Sequence, residues 1–94
     1  MAVLKTLQVT LGAGATQVTA QPFVYCRQVF IQNNATHVTR VGDSNVSATR
    51  GIALAATPSS PLVIGDGDVG VNVDLSTIFL FGTATDVIDV VIVQ

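Results

Sequence analysis

The chain has no Glu and no Trp, and one each of Lys, His, Cys and Met. Each shortage removes a class of protein. Glu, Lys and Met are straight-chain residues that lose little rotamer freedom in a helix, so a chain this poor in them is badly supplied for helices. The cations are Lys5, Arg27, Arg40 and Arg50, spread along the whole length. They are too few to follow a phosphate backbone, so nucleic-acid binding is not expected. The lone Cys26 excludes an internal disulfide. In its apolar run it reads as a small core residue, not a reactive thiol. The lone His37 leaves little for general-base chemistry, and nothing sets Ser44, Ser47, Ser59, Ser60 or Ser76 beside it. The carboxylates are scattered, where acid/base work needs two facing one cleft. No catalytic residues and no cofactor are expected.

Other gaps bound the protein further. No apolar run approaches the ~18 residues that span a bilayer, so no membrane segment is expected. Lys5 interrupts the apolar start, and the N-terminus does not read as a secretory leader. Asn34-Ala35-Thr36 and Asn45-Val46-Ser47 match the glycosylation pattern and are read as chance. "GDSN" (Gly42 to Asn45) and "GDGD" (Gly65 to Asp68) resemble pieces of calcium loops, but neither carries the later bidentate acid such a loop needs. They read as acidic turns, and no metal is expected. Only 11% of residues are charged, against roughly 25% in an average soluble domain. Such a surface is covered by Thr, Ser, Asn and Gln, or is buried against other chains; both are expected.

What is there is Val and Thr, sixteen and eleven of them. Both are stiff at χ1 and suit a pleated surface. The expected fold is all-β, a single domain over residues 1–94. "VLKTLQVTL" (3–11) alternates, with Val3, Leu7, Val9 and Leu11 on one face beside Lys5, and reads as a half-buried strand. "GAGAT" is a turn, and "TQVTA" a short edge strand stopped at Pro22. "FVYCRQVFIQ" (23–32) is expected as a central strand covered on both sides. "NNA" should turn it back into "THVTRV" as a hairpin. "GDSN" and Gly51 mark two bends on either side of "VSATR", and "IALAA" returns as a small-residue strand. "TPSSP" is a rigid loop, "LVI" a short strand, and residues 65–74 an irregular connection. Thr77 to Phe81 and Asp86 to Gln94 are the last two strands. Val29, Ile31, Ile88, Val90 and Ile92 should form the core. About seven or eight short strands at this spacing make a β-sandwich, in a jelly-roll arrangement.

One pattern goes beyond the fold. "VTRVGDSNVSATRGIALAA", "SPLVI" and "DLSTIFLFGTATDVIDVVIVQ" occur in that order. The carriers are Val41, Gly42, Asp43, Asn45, Val46, Gly51, Ile52, Leu54, Leu75, Ser76, Ile78, Gly82 and Thr83. This order resembles that of small structural proteins of tailed bacteriophages, among them capsid decoration (cement) proteins. The matching segments cover about half of the chain, all beyond Val38. The resemblance implies a β-sandwich structural protein on the outside of a capsid. It would be made in the host cytoplasm, assemble as a homo-oligomer (a trimer), and bind the major capsid protein. Head-fibre, neck or tail components are similar. A carbohydrate- or receptor-binding fibre module is the alternative from another class. Against it, Phe23, Tyr25, Phe30, Phe79 and Phe81 all lie in expected strands, so no loop offers an aromatic for sugar stacking. Arg27, Arg40, Arg50 and Asp43 are the candidate subunit or capsid contacts. Arg suits bidentate bonds across an interface, and Arg27, inside an apolar strand, must find a partner or reach out to water.

Overall fold

A computed structural model describes residues 3–21, 24–56, 58–66 and 72–94. Ten strands run through the described residues. They are β1 (Leu4–Thr10), β2 (Thr16–Gln17), β3 (Tyr25–Cys26), β4 (Gln28–Gln32), β5 (Thr39–Gly42), β6 (Ile52–Leu54), β7 (Leu62–Ile64), β8 (Val73–Asp74), β9 (Phe79–Phe81) and β10 (Val87–Val93). One 3-10 turn, Leu75–Thr77, precedes β9. The fold is all-β. Two four-stranded antiparallel sheets, ordered β1-β10-β4-β7 and β2-β9-β5-β6, are joined by the small pair β3-β8.

The pairing is nested. Strand β1 pairs with β10, β2 with β9, β3 with β8, β4 with β7, and β5 with β6. The chain therefore runs out and back as one long hairpin, with its apex between β5 and β6. Two further pairings, β10 with β4 and β9 with β5, close this ribbon into the two sheets.

Alternation decides what is buried. Strand β10 reads Val-Ile-Asp-Val-Val-Ile-Val, and Ile88, Val90 and Ile92 point inward with almost no exposure. Val29 and Ile31 of β4 stand beside them, and Val9 and Leu11 complete this layer. Val41, Leu54, Ile78 and Leu80 face them from the second sheet. Each buried aliphatic side chain is worth about 1.5–3 kcal/mol relative to exposure. All five expected core residues are buried.

Several expectations are corrected. The segments around β4 and β5 form no hairpin: each pairs with other strands, in different sheets. The reason is Asn33, which is completely buried. Its Nδ2 shares its two hydrogens among the carbonyls of His37, Leu54 and Ala55 at 2.7, 3.2 and 3.2 Å. Its Oδ1 accepts from Ala35 N at 2.9 Å, which fixes the amide orientation. Its backbone N–H donates to Ser59 Oγ. The side chain supplies bonds that a hairpin turn would have made, and the chain crosses to the second sheet. Strand β4 is central, but only its inner face is closed; outward Phe30 is half-buried.

Arg27 interrupts the expected 23–32 strand, leaving β3 and β4 on either side of a bend. The connection over 65–74 contains β8, which covers Cys26. The strand expected from Thr77 starts at Phe79. Asp74 accepts from Ser76 N and Oγ at 3.0 and 2.7 Å, capping the 3-10 turn Leu75–Thr77 that occupies the expected start of the strand. The expected strand start at Phe23, the stop at Pro22, Thr57 of the rigid loop and Gly67 to Val71 lie outside the described residues.

Candidate functional site

The apex of the long hairpin is the stretch "GDSNVSATRG". Asp43 Oδ1 accepts from Asn45 N at 2.9 Å, and Asp43 O accepts from Val46 N at 3.0 Å. This turn folds the loop back so that Val46 is buried over Gly42 and Gly51. A Cβ on Gly42 would meet the Val46 side chain at 3.3 Å. One on Gly51 would lie 2.7 Å from Val41 O, and Gly51 has φ +112°. Only glycine fits there without strain. Ser47 and Arg50 then bond each other's backbone, at 3.1 and 3.3 Å, and tighten the tip.

The loop leaves a cleft beside it, on the outer face of the second sheet. Val38, Arg40, Ala48, Phe81, Gly82 and Thr83 line about 290 Å³. Arg40 sits between Phe81 and Ala53 in the cross-strand row. Its Nη1 donates to Gly51 O at 2.9 Å, which ties the guanidinium to the apex. Among the described residues no carboxylate lies within 4.0 Å of Arg27, Arg40 or Arg50. Gly82 closes the cleft floor: a Cβ there would meet Leu11 Cδ1 at 2.8 Å and Thr39 Oγ1 at 3.0 Å.

The four candidate contact residues divide accordingly. Arg40, Arg50 and Asp43 belong to the β5–β6 hairpin, where Asp43 shapes the turn and Arg50 is exposed at the tip. Arg27 lies apart and half-buried, its backbone N–H donating to Val93 O at 2.7 Å. The expectation for His37 is corrected: it lies in the bend before β5, not in a strand. There Nδ1 meets Asp86 Oδ2 at 3.0 Å, joining the β4–β5 crossing to the start of β10. The fixing element is Asn33, which holds His37 O. Cys26 is buried, and burial pushes its thiol above the ordinary range, with the Asp74 carboxylate adding to the effect. Its thiol is therefore protonated and not nucleophilic at neutral pH. No cluster of three metal-ligating side chains occurs among the described residues, and no helix there is long and apolar enough to cross a membrane.

A second feature was not foreseen from the sequence. The outer face of the first sheet carries the rows Leu4–Val93–Gln28, Thr6–Val91–Phe30–Val63 and Gln8–Asp89–Gln32. Its one ionised group, Asp89, accepts from Gln8 Nε2 at 3.2 Å and from Asn34 Nδ2. The other two amides are also engaged, Gln28 with Gly65 O and Gln32 with Ser59 O. Leu4 is 69% exposed and Val63 46%. Comparison with known protein families, characterised proteins and solved structures finds no match.

Proposed function

We propose that the chain is a structural virion protein, a capsid decoration protein that binds the outer shell and bridges capsid subunits. One observation carries this reading: the outer face of the β1-β10-β4-β7 sheet has a row of Val91, Phe30 and Val63 running across it, and its one charge and its three Gln amides each already hold a bond within the chain. Burying a polar group costs little when its bonds come with it. Such a face loses fewer hydrogen bonds to water when another protein covers it, and contiguous exposed apolar area marks interaction sites. The low charge of the whole chain agrees, because charged residues are depleted at interface centres. The sequence resemblance supplies the virion context and the expectation of a trimer. The nested pairing supports the jelly-roll reading of the sandwich.

The test is light scattering of the purified protein, then mixing with bare capsids and pelleting. The account expects an oligomer that pellets with the shells. Val63→Lys places a charge at the exposed edge of the apolar row and should abolish pelleting while the melting temperature is kept. An oligomer that stays in the supernatant would move the function to a fibre, neck or tail part. A monomer that stays there would defeat the reading.

A further inference from the structure

We propose that the Arg40 cleft is a receptor for an acidic side chain, aspartate or glutamate, presented by a different protein. The inference deepens the capsid-binding reading by naming the chemistry of one contact, and it rests on that reading for the partner's identity.

The cleft is on the opposite sheet from the apolar face, so it is a separate contact. Its wall holds a guanidinium that is oriented but not neutralised. One of its five N–H donors is bonded to Gly51 O, and the others have no carboxylate within 4.0 Å among the described residues. Orientation matters because a fixed planar fork binds a carboxylate bidentately with less ordering cost. Phe81 and Val38 border it, and Val38 is 53% exposed. They would contact the methylenes of an acidic side chain while the carboxylate meets Arg40. Thr83 adds a hydroxyl donor at the same rim.

Charge accounting says which protein supplies the carboxylate. Asp43 is held by Asn45 N, Asp74 by Ser76, Asp86 by His37, and Asp89 by Gln8 and Asn34. Asp66 also has a partner of its own. Every described side-chain carboxylate thus already accepts a bond within the chain, so a second copy would offer the cleft only acids that are partly committed elsewhere. A foreign protein is under no such constraint. An acidic sugar fits less well: its ring hydroxyls need acceptors, and no side-chain carboxylate or amide lines the cleft.

The test is an amide chemical-shift titration of the intact protein with glutamate blocked at both ends, which leaves only the side-chain carboxylate charged. Blocked glutamine is the neutral control and glucuronate the acidic-sugar arm. Blocked glutamate should give saturable shifts at Arg40, Phe81, Gly82 and Thr83, with a Kd on the order of 10 mM. Blocked glutamine should bind at least about tenfold more weakly, since each factor of ten is one good charged contact. Arg40→Gln should abolish the shifts. Because Arg40 also ties the apex, Ala48→Glu serves as a second variant: it puts a carboxylate on the cleft rim and should block the probe while Arg40 stays. No shift at these residues with blocked glutamate, or equal binding of the glutamine control, would overturn the proposal. Binding of glucuronate alone would overturn it in favour of a sugar. No capsid enters this experiment. A failure to pellet with capsids therefore defeats the functional reading and leaves the cleft standing, and the reverse holds too.

Discussion

Thr39 is fully buried, and its Oγ1 makes no hydrogen bond within the described residues. An unpaired buried hydroxyl costs stability, so Thr39→Val should be neutral or stabilising by about 1–2 kcal/mol. Urea denaturation checks this; a loss of stability would show that the hydroxyl is satisfied after all. Asn33 is the opposite case, since its side chain serves four backbone groups. Asn33→Ala should cost about 2–3 kcal/mol by the same measurement, because buried carbonyls lose their donor. Cys26 gives a pH signature. Its folded thiol titrates above the unfolded one, so the folded state holds the proton more tightly. Stability is then full below about pH 8.5, where an unfolded thiol begins to ionise, and falls as pH rises toward the folded value. Cys26→Ala should remove that share of the alkaline slope in thermal melts. None of these roles is visible in the residue names: "NNA" reads as a turn, and only the crossing between sheets makes its first Asn a core group.

At the scale of elements, period-two alternation was a faithful guide wherever one face met the core. Strand β10 and the inward residues of β4 follow it, while β1 follows it only from Leu7 onward, and Val3, expected on the inward face, is exposed. The glycine punctuation of the β5–β6 hairpin was also legible, because Gly51 sits at a conformation few other residues adopt. Partner choice was not. A short polar stretch between two strands is compatible with a hairpin or with a crossing, and the difference lies in distant groups such as Ser59 and Leu54. Two-residue strands such as β3 and β8 carry too little pattern to be read at all. The sharpest probe at this scale is Val90, completely buried between Ile88 and Ile92 on the inner face of β10. Val90→Asp would bury an unpaired carboxylate between two sheets and should cost several kcal/mol, on the order of 3–5. A soluble variant with an unchanged melting temperature would contradict the packing.

For the whole molecule, the nested ribbon explains why so small a chain commits so many residues to sheet. Its pairings are long-range, β1 with β10 most of all, so Leu4 and Val93, near opposite ends of the chain, are neighbours in one sheet. A domain of this size buries only about 60–65% of the surface its unfolded chain exposes, and burial against a partner would add stability by mass action. The candidate contacts were legible in part. Low charge gives the expectation of an interface and Arg40 is among the residues it singles out, but the Arg40 cleft needs the loop folded over Gly42. The charge-poor sheet face needs the register between β1, β10, β4 and β7. The most direct measurement is electron microscopy of capsids incubated with the purified protein. The account predicts added density in threefold clusters on the shell exterior, with the Thr6–Val91–Phe30–Val63 face turned toward protein and not toward solvent. Bare shells, or bound copies with that face open to water, would contradict it.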